Sequence, residues 1–377
     1  MSPATTVEAI DVSVHTIPTD GPDGKEADGT LEWDSTTCVV VQARAGGRTG
    51  LGYTYGPEAV ATYIQGKLAS IACGSDALRP RATWAAMQVA SRNAGTTGVV
   101  SMAISAVDNA LWDLLARLLD VPLVTVLGDV HEHANIYGSG GFCNLSREDL
   151  QAQLRGWVEQ GIPRVKMKVG RDPDRDRNRV RWALEAIGDD VELLVDANGA
   201  YRVKEAQEWA RWYADQGAVW LEEPVSSDDL HGLAQIRREG PPGLAITAGE
   251  YGWDIFHFQQ LLEHEAVDVV QPDVTRCGGY TSFLRVDALC RARNMALSAH
   301  CAPGQSVHAV CACETAVHIE YFHDHSRIES MLFDGTLQPQ PGGRLVPDRS
   351  RPGNGLELKR ADAERYAVAG STRRLAG

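Results

Sequence analysis

Four short segments each end an apolar run in charged side chains, and they lie at 164–170, 194–199, 220–224 and 248–250. Within them Asp196, Glu222 and Glu250 follow one another at intervals of 26 and 28 residues, about the length of one strand–helix–strand unit. Side chains this far apart cannot share one helix face, but successive strand ends of a closed parallel barrel surround a single mouth. Three carboxylates meeting there would offer the hard oxygen ligands that Mg²⁺ prefers.

The length of 377 residues exceeds what one hydrophobic core usually supports, so two domains are expected. Residues 1–130 combine three predicted strands with three predicted helices, which indicates an α+β domain. The strands are predicted at 7–19, 36–45 and 50–55, and the helices at 57–72, 82–93 and 98–119. Between the first two strands, the Gly- and Asp-rich segment 20–34 predicts a long exposed loop, typical of a lid.

Residues 131–330 alternate between strand and helix patterns, and about eight repeats of this kind indicate a closed parallel barrel. Strands are predicted near 134–142, 164–169, 191–196, 219–222, 245–249, 267–270, 296–300 and 318–321. Helices are predicted at 147–160, 174–187, 203–216, 254–264 and 279–293. The remaining segment, 331–377, contains a Pro- and Gly-rich stretch without periodicity, and we expect it to pack back on the first domain.

The formal net charge of −14, from 50 acidic and 36 basic residues, argues against a nucleic-acid partner and against an anionic membrane surface. It does not exclude an anionic substrate, because local lysines can outweigh the global field. The eight cysteines form no Cys-x-x-Cys pair and are expected to be reduced, buried thiols. Without a basic and then apolar N-terminus, and with no segment approaching 18 apolar residues, the sequence predicts a cytoplasmic protein without a membrane span.

Lys166 and Lys168 are predicted to point to the same face of one strand, because alternate strand residues share a face. Two neighbouring, partly buried ammonium groups repel each other, so we expect a lysine pKa lowered towards that of a general base. An isolated Lys-x-Lys is usually a pair of surface lysines. Here the pair stands one unit before a carboxylate series of the same period, which favours a functional role.

The series continues beyond Glu250 with Asp273, His300 and Glu320, at further intervals of 23, 27 and 20 residues. An Asp at one strand end and a His at the next resemble an oriented acid/base pair, in which the carboxylate fixes the imidazole tautomer and raises its pKa. A helix cap for Asp273 and a satisfied core histidine for His300 are the alternatives for each residue alone. Seven positions in phase favour a shared site.

Three further residues lie close to these motifs in the sequence. Glu223 should face away from Glu222 and either support the ligands or lie at the surface, and Asn198 could bind metal weakly or contact substrate. His323 and His325 flank Asp324, and without a partner at zinc-binding spacing they favour a loop or a contact in an oligomer over a zinc site.

Taken together, these motifs resemble the enolase superfamily, specifically its mandelate racemase subgroup, over nearly the whole chain. The resemblance implies an α/β fold, a modified TIM barrel of (β/α)₇β form with an N-terminal α+β capping domain that the C-terminal segment completes. It implies Mg²⁺ on Asp196, Glu222 and Glu250, and Lys168 as the base that removes the proton α to a substrate carboxylate. The other implied roles concern Lys166 (tuning Lys168 and contacting the carboxylate), the Asp273–His300 pair (acid/base on the opposite face) and Glu320 (a hydrogen bond, as the neutral acid, to the enediolate oxygen).

Two outcomes fit such an arrangement, and they differ in what His300 does. Protonation of a departing β-hydroxyl gives a 2-keto-3-deoxy acid from an acid sugar, whereas return of the proton to the α-carbon gives a racemase or epimerase. We expect the dehydratase, partly because such enzymes are common in the subgroup, and because the polar lid and Tyr53-Thr54-Tyr55 could bind hydroxyl groups, with Tyr55 taken as a substrate contact. A catalytically silent member is the remaining alternative, although none of the expected residues is missing. The partners expected are a small carboxylate substrate and further copies of the chain in a homo-oligomer.

Overall fold

The first strand, β1 (Ala9–Pro18), lies inside an antiparallel sheet that the two ends of the chain build together. The computed structural model describes residues 5–376. The lid contributes two short strands, β2 (Glu26–Ala27) and β3 (Glu32–Trp33), and a hairpin follows, β4 (Ser35–Ala45) with β5 (Arg48–Tyr55). The sheet order is β17-β1-β4-β5, in which the last strand of the chain, Arg373–Ala376, pairs with β1.

The helices of the capping domain pack on one face of this sheet. They are α1 (Ala59–Tyr63), a π-helical turn (Ile64–Leu68), α2 (Ala69–Ala72), α3 (Pro80–Ser91), a 3₁₀ turn (Arg92–Ala94), α4 (Val99–Leu119) and α5 (Leu123–Leu127). Helix α4 is buried along most of its length and lies directly against β5. This close approach requires glycine in the strand, since a Cβ at Gly50 or Gly52 would clash with the α4 backbone at Ala110 or Ala106.

Helix α4 is the one helix within residues 5–376 that is long and apolar enough, by length and composition, to cross a membrane. Its sequence includes Asp108, Asn109 and Asp113, so it is not an uninterrupted apolar run. The apolar window is nevertheless 89% buried inside the protein, as expected for a core helix. The α4 side chains therefore form the centre of the capping-domain core.

The lid differs from the fully exposed loop that its composition predicts. It contains a 3₁₀ turn (Pro22–Gly24) and the β2–β3 pair, and both Glu26 and Ala27 are completely buried. The backbone of Ala27 binds the loop after the first barrel strand, where Cys143 donates to its carbonyl at 2.6 Å and Asn144 accepts from its N–H at 3.2 Å. Loop composition alone did not predict these long-range contacts.

Eight parallel strands close into a barrel, as the regular alternation predicted. The strands are β6 (Ala134–Gly140), β7 (Arg164–Lys168), β8 (Glu192–Asp196), β9 (Trp220–Glu222), β10 (Ala245–Ala248), β11 (Val269–Val270), β12 (Ala296–Ala299) and β13 (Ala316–Phe322). The helices between them are α6 (Arg147–Glu159), α7 (Pro173–Ile187), α8 (Val203–Asp215), α9 (Leu230–Glu239), α10 (Ile255–Glu263), α11 (Gly279–Ala292) and α12 (Pro303–Cys311). Pairing of β13 with β6 closes the barrel, so the carboxyl ends of all eight strands surround one mouth.

The C-terminal segment contacts both domains rather than the capping domain alone. Helix α13 (His323–Leu332) leads into this segment, which contains β14 (Phe333–Asp334), β15 (Arg344–Leu345), β16 (Glu357–Leu358), α14 (Arg360–Ala363), a 3₁₀ turn (Glu364–Tyr366) and β17 (Arg373–Ala376). Strand β15 adds antiparallel to barrel strand β6, whereas β17 adds to the capping sheet. This segment therefore links the barrel to the capping domain and completes the sheet of the latter.

Asp113 on α4 connects three separate parts of this architecture. Its buried carboxylate accepts hydrogen bonds from the backbone of Leu51 at 2.7 Å and of Asn354 at 2.5 Å, and from the Arg117 guanidinium at 2.7 Å. The carboxylate therefore joins the β4–β5 hairpin, helix α4 and the C-terminal segment.

Asp113→Ala should lower the free energy of unfolding by about 3 kcal/mol, because it leaves buried donors and a partly buried guanidinium without their acceptor. Urea unfolding followed by circular dichroism measures this change. Asp120→Asn, at the exposed end of the same helix, is the control and should shift stability by less than about 0.5 kcal/mol. Equal effects of the two variants would contradict the assigned role of Asp113.

Candidate active site

Three carboxylates converge at the mouth of the barrel, as the spacing in the sequence predicted. Asp196 and Glu222 are the last residues of β8 and β9, and Glu250 follows the end of β10 by two residues. Each offers a ligand atom, and these atoms all lie within 4.8 Å of one another. All three side chains are buried, so the cluster concentrates negative charge in a small volume.

The surroundings of the cluster fit a divalent cation. Glu222 Oε1 is buried and has no hydrogen-bond partner among the described residues, although buried carboxylate oxygens are normally satisfied. Burial, followed by the neighbouring Asp196 carboxylate, raises the pKa of Glu222. Three carboxylates, one of them with an unsatisfied oxygen, are the kind of oxygen ligands that Mg²⁺ and similar hard ions prefer.

Lys166 and Lys168 both point into this cluster from β7. Lys168 Nζ donates to Asp196 Oδ2 at 2.6 Å, and Lys166 Nζ donates to Glu222 Oε2 at the same distance. Lys166 Nζ also lies 2.9 Å from Glu320 Oε1. The two lysines therefore share one face of the strand, as alternation predicts.

The expected lowering of the lysine pKa is wrong for this arrangement. Burial does lower the pKa of Lys168, but Asp196 and other nearby carboxylates raise it further, and the pKa ends above its ordinary value. The pKa of Lys166 is likewise raised, because Glu222 and Glu320 outweigh burial. The prediction counted the repulsion between the ammonium groups and omitted the carboxylates to which each is bonded.

His300 and Asp273 form the oriented pair that the sequence suggested. His300, just after β12, has Nδ1 2.8 Å from Asp273 Oδ2, and its Nε2 lies 3.3 Å from Glu250 Oε2. Burial lowers the pKa of His300, but its interactions with the Cys301 thiol, with the Glu250 and Glu320 carboxylates and with Asp273 together raise it well above its ordinary value. His300 thus reaches the carboxylate cluster at Glu250, whereas Lys168 reaches it at Asp196.

Glu320 lies between the lysine pair and His300 on β13. Its Oε1 accepts a hydrogen bond from Ser139 at 2.5 Å, and its Oε2 lies 3.6 Å from His300 Nε2. Burial raises the pKa of Glu320, but Lys166 and His300 lower it more, so the pKa lies below its ordinary value. This direction is opposite to the neutral form that the resemblance implies, because Lys166 Nζ lies 2.9 Å from the carboxylate.

A cavity of about 360 Å³ leads from the lid to these residues, a size typical of small-molecule sites. Lys168, Glu250, His300 and Glu320 line its floor, and lid residues line its entrance. The two predicted substrate contacts, Asn198 and Tyr55, also line it. Asn198 Oδ1 has no hydrogen-bond partner among the described residues, so it is available to a ligand hydroxyl.

Tyr53 and Thr54 do not take part, contrary to the expectation for the Tyr53-Thr54-Tyr55 segment. The Tyr53 hydroxyl donates to Glu329 at 2.5 Å, and the Thr54 hydroxyl donates to the Thr275 carbonyl at 2.7 Å. Both side chains are completely buried. Tyr53 and Tyr55 share one face of β5, but Tyr55, the last residue of the strand, is the member of this segment that lines the cavity.

Glu223 and the His323–His325 pair take positions in the structure that the sequence left open or predicted wrongly. Glu223 is buried near Glu250 and Asp196, not exposed, and its backbone has a φ of 38°. His323 and His325 belong to the first turn of α13 rather than to a loop. His325 stacks on Tyr55 with ring centroids 3.5 Å apart and lines the cavity.

Two residues of the cavity were missed by the sequence reasoning. Arg276 donates to Glu250 Oε1 at 3.3 Å, and Cys301 Sγ lies 3.2 Å from His300 Nε2. Both stand within three residues of a predicted site residue, in the loops after β11 and β12. Their closeness in sequence to Asp273 and His300 could have indicated them, had the loops after the strands been considered together with the strand ends.

Comparison with protein-family models matches two parts of the chain. Residues 25–128 match the mandelate racemase/muconate lactonizing enzyme N-terminal domain, and residues 149–363 match the enolase C-terminal domain-like family. Among curated relatives, 3,6-anhydro-α-L-galactonate cycloisomerase from Streptomyces coelicolor is 35% identical, over 85% of this chain and 89% of its own. L-rhamnonate dehydratase from Saccharopolyspora erythraea is 29% identical, over 85% and 83%.

Solved structures of proteins in the same family are also similar to this chain. A mandelate racemase/muconate lactonizing enzyme-like protein from Rubrobacter xylanophilus is 56% identical, with a TM-score of 0.94 over 96% of this chain and 100% of that one. A racemase from S. coelicolor A3(2) with bound magnesium is 32% identical, with a TM-score of 0.89 over 96% and 100%. L-talarate/galactarate dehydratase from Salmonella typhimurium LT2, with Mg and L-lyxarohydroxamate, is 25% identical, with a TM-score of 0.88 over 99% and 95%.

Glu222→Gln should weaken the binding of Mg²⁺ at least about tenfold, because one of three anionic ligands becomes neutral. Isothermal titration calorimetry with Mg²⁺ alone measures the affinity. The control Glu192→Gln removes the same charge from the first residue of β8, at the end of that strand away from Asp196. It should leave the Mg²⁺ affinity unchanged. Unaltered Mg²⁺ binding in Glu222→Gln would place the cation elsewhere.

Proposed function

This chain belongs to the mandelate racemase/muconate lactonizing enzyme family, and from that premise we propose that it is an acid-sugar dehydratase that uses Mg²⁺. It would remove the proton α to the carboxylate of an aldonate or aldarate and then expel the β-hydroxyl as water, leaving a 2-keto-3-deoxy acid. The proposal depends mainly on one observation, which is that two acid/base groups contact different carboxylates of the same cluster. Lys168 reaches it at Asp196 and His300 reaches it at Glu250.

Asp196, Glu222 and Glu250 would hold the cation. Bound there, Mg²⁺ supplies positive charge that stabilises the developing enediolate and opposes protonation of the nearby lysines. The donor set and the unpartnered oxygen of Glu222 support this role, as do two relatives solved with magnesium.

The residues of the chain perform the proton transfers. Lys168 Nζ, in its neutral form, would take the α-proton, and Lys166, held by Glu222 and Glu320, would contact the substrate carboxylate. His300 Nε2 then delivers a proton to the departing β-hydroxyl, while Asp273 holds Nδ1 and orients the ring. Such an imidazole must be protonated before elimination, which agrees with the raised pKa of His300.

The cavity supports a polyhydroxylated substrate. Tyr55 and Asn198 contribute polar groups to its wall, and Thr36, Thr37 and Asp28 contribute others near the lid. A relative was solved with L-lyxarohydroxamate, which is an acid-sugar analogue by its name.

A second candidate is cycloisomerisation of an anhydro acid sugar, favoured by the relative at 35% identity. The same α-proton would leave, but the β-oxygen expelled would be that of the sugar's own ring. His300 would protonate that oxygen, which stays attached, so the product is a keto isomer of the substrate. A racemase, which would return a proton to the α-carbon, is the third reaction that these residues permit.

One incubation distinguishes the three reactions. The chain, with Mg²⁺ in deuterated water, is offered stereoisomeric aldonates, aldarates and anhydro-aldonates, and products are analysed by mass and by reaction with semicarbazide. A keto acid lighter by one water supports the dehydratase, and a keto acid isomeric with its substrate supports the cycloisomerase. Deuterium at the α-carbon without a carbonyl supports the racemase, and absence of turnover and exchange across the panel contradicts all three.

Lys168→Ala should lower kcat by about 10³-fold or more, because no other described group is placed to remove the proton from that side. Exchange of the substrate α-proton should fall equally, whereas Mg²⁺ affinity should remain within about threefold of the wild type. NMR of the exchange reaction and calorimetry measure the two quantities. The exposed Lys204→Ala is the matched control, and full α-proton exchange in Lys168→Ala would remove Lys168 from this role.

His300→Asn should abolish elimination while allowing slow exchange of the α-proton through Lys168, since the two groups act in different steps. Product formation and deuterium exchange are followed in the same sample by NMR. The exposed His231→Asn controls for loss of an imidazole. Continued elimination at the wild-type rate in His300→Asn would show that another acid protonates the leaving group.

A further inference from the structure

A second group of possible metal ligands lies where the lid meets the first turn of α13. Asp20, Glu26 and His323 each offer a ligand atom, and these atoms lie within 4.8 Å of one another. His323 Nε2 is 2.8 Å from Asp20 Oδ1. The three side chains line a cavity with Phe142 and Gln153, and none of them lines the catalytic cavity.

Glu26 is the unusual member of this group. Its side chain is completely buried, and neither carboxylate oxygen has a hydrogen-bond partner among the residues described. A buried carboxylate without a donor is costly unless it holds a proton or contacts a cation. Burial and then the adjacent Asp324 raise the pKa of Glu26 to about 9, which shows how poorly the surroundings compensate its charge.

The one nearby guanidinium in the described structure is already committed to other acids. Arg327 Nη2 donates to Asp324 Oδ1 at 2.8 Å, and Arg327 Nε lies 3.4 Å from Asp20 Oδ2. Asp324 Oδ2 accepts in addition from Thr36 at 2.9 Å. Three carboxyl groups therefore share a single permanent positive charge, and a cation that replaces the proton on Glu26 would meet two oxygens without another partner among the described residues.

We propose that Asp20, Glu26 and His323 bind a second divalent cation, of the transition-metal class represented by Zn²⁺. Two carboxylates and one imidazole are a common donor set for such ions, with bonds of about 2.0–2.2 Å that atoms this close can reach by small side-chain movements. His323 and Asp20 are partly exposed, which gives the ion a path from solvent. The fully buried Glu26 supplies the inner ligand.

Such an ion joins the lid to the barrel. Asp20 precedes the lid turn, Glu26 lies on lid strand β2, and His323 begins the helix that follows barrel strand β13. Two residues beyond Glu26, Asp28 lines the catalytic cavity, and so does Trp33, the β3 partner of Glu26. Cation binding therefore holds the lid residues that face the substrate in place.

Equilibrium dialysis of the full chain against Zn²⁺, in excess Mg²⁺, tests the site by counting bound equivalents with elemental analysis. Glu26→Gln, which keeps the side-chain shape, should lose one equivalent or bind it at least tenfold more weakly. His323→Asn should do the same and provides a second variant if either fails to fold. Asp23→Asn, an exposed lid position, removes the same charge as Glu26→Gln and should bind as the wild type does.

Hydrogen exchange supplies an independent readout at the lid. Zn²⁺ should slow amide exchange within 20–34 in the wild type and in Asp23→Asn, but not in Glu26→Gln. Equal Zn²⁺ stoichiometry and affinity in wild type and Glu26→Gln would overturn the proposal. Amide hydrogen exchange within 20–34 that does not change when Zn²⁺ is added to the wild type would also overturn it. Both readouts are independent of turnover, so they stand or fall separately from the proposed dehydratase activity.

Discussion

Opposite charges buried together at the mouth of the barrel are the constraint on which the rest of the structure depends. Asp196, Glu222 and Glu250 lie at neighbouring strand ends, and Lys166 and Lys168 are bonded to them at 2.6 Å. Removing one partner of a buried ion pair typically costs about 3–5 kcal/mol, because the other charge is left without compensation. The strands can therefore hold these acids inside only as a balanced set.

The balance of buried charges at the barrel mouth also affects the proton transfers of the proposed reaction. The ammonium groups now bonded to the carboxylates are the groups that the proposed reaction needs in neutral form, and a cation on the same carboxylates would shift them in that direction. His300 is controlled from the other side, by Asp273 at 2.8 Å and Glu250 at 3.3 Å. One set of acids thus determines the protonation of both the base and the acid of the proposed reaction.

Periodicity along the chain was sufficient to predict the barrel and to bring the three carboxylates, the lysine pair, Asp273, His300 and Glu320 to its mouth. The reason is geometric, since a strand–helix repeat brings every strand end to one mouth, and Asp196 and Glu320 meet there despite their separation in sequence. The protonation states were not predictable in this way, because the pKa of Lys168 depends on its distance from Asp196. The burial of Glu26 and the withdrawal of Tyr53 to Glu329 likewise depend on tertiary contacts that local patterns do not contain.

In the proposed function, the choice among dehydration, ring opening and racemisation would depend on groups that the lid positions rather than on the barrel. All three reactions can begin with the same proton transfer to Lys168, and they diverge according to which atom of the substrate faces His300. In the proposed reaction the cavity wall orients the substrate, and Asp28 and Trp33 of the lid form part of that wall together with Tyr55 and Asn198. Lid strand β2 is tied to the barrel through Ala27, and in our proposal also through the cation at Glu26. In the proposed function, the lid would therefore determine the reaction outcome, and the buried charges at the barrel mouth would provide the first step common to all three reactions.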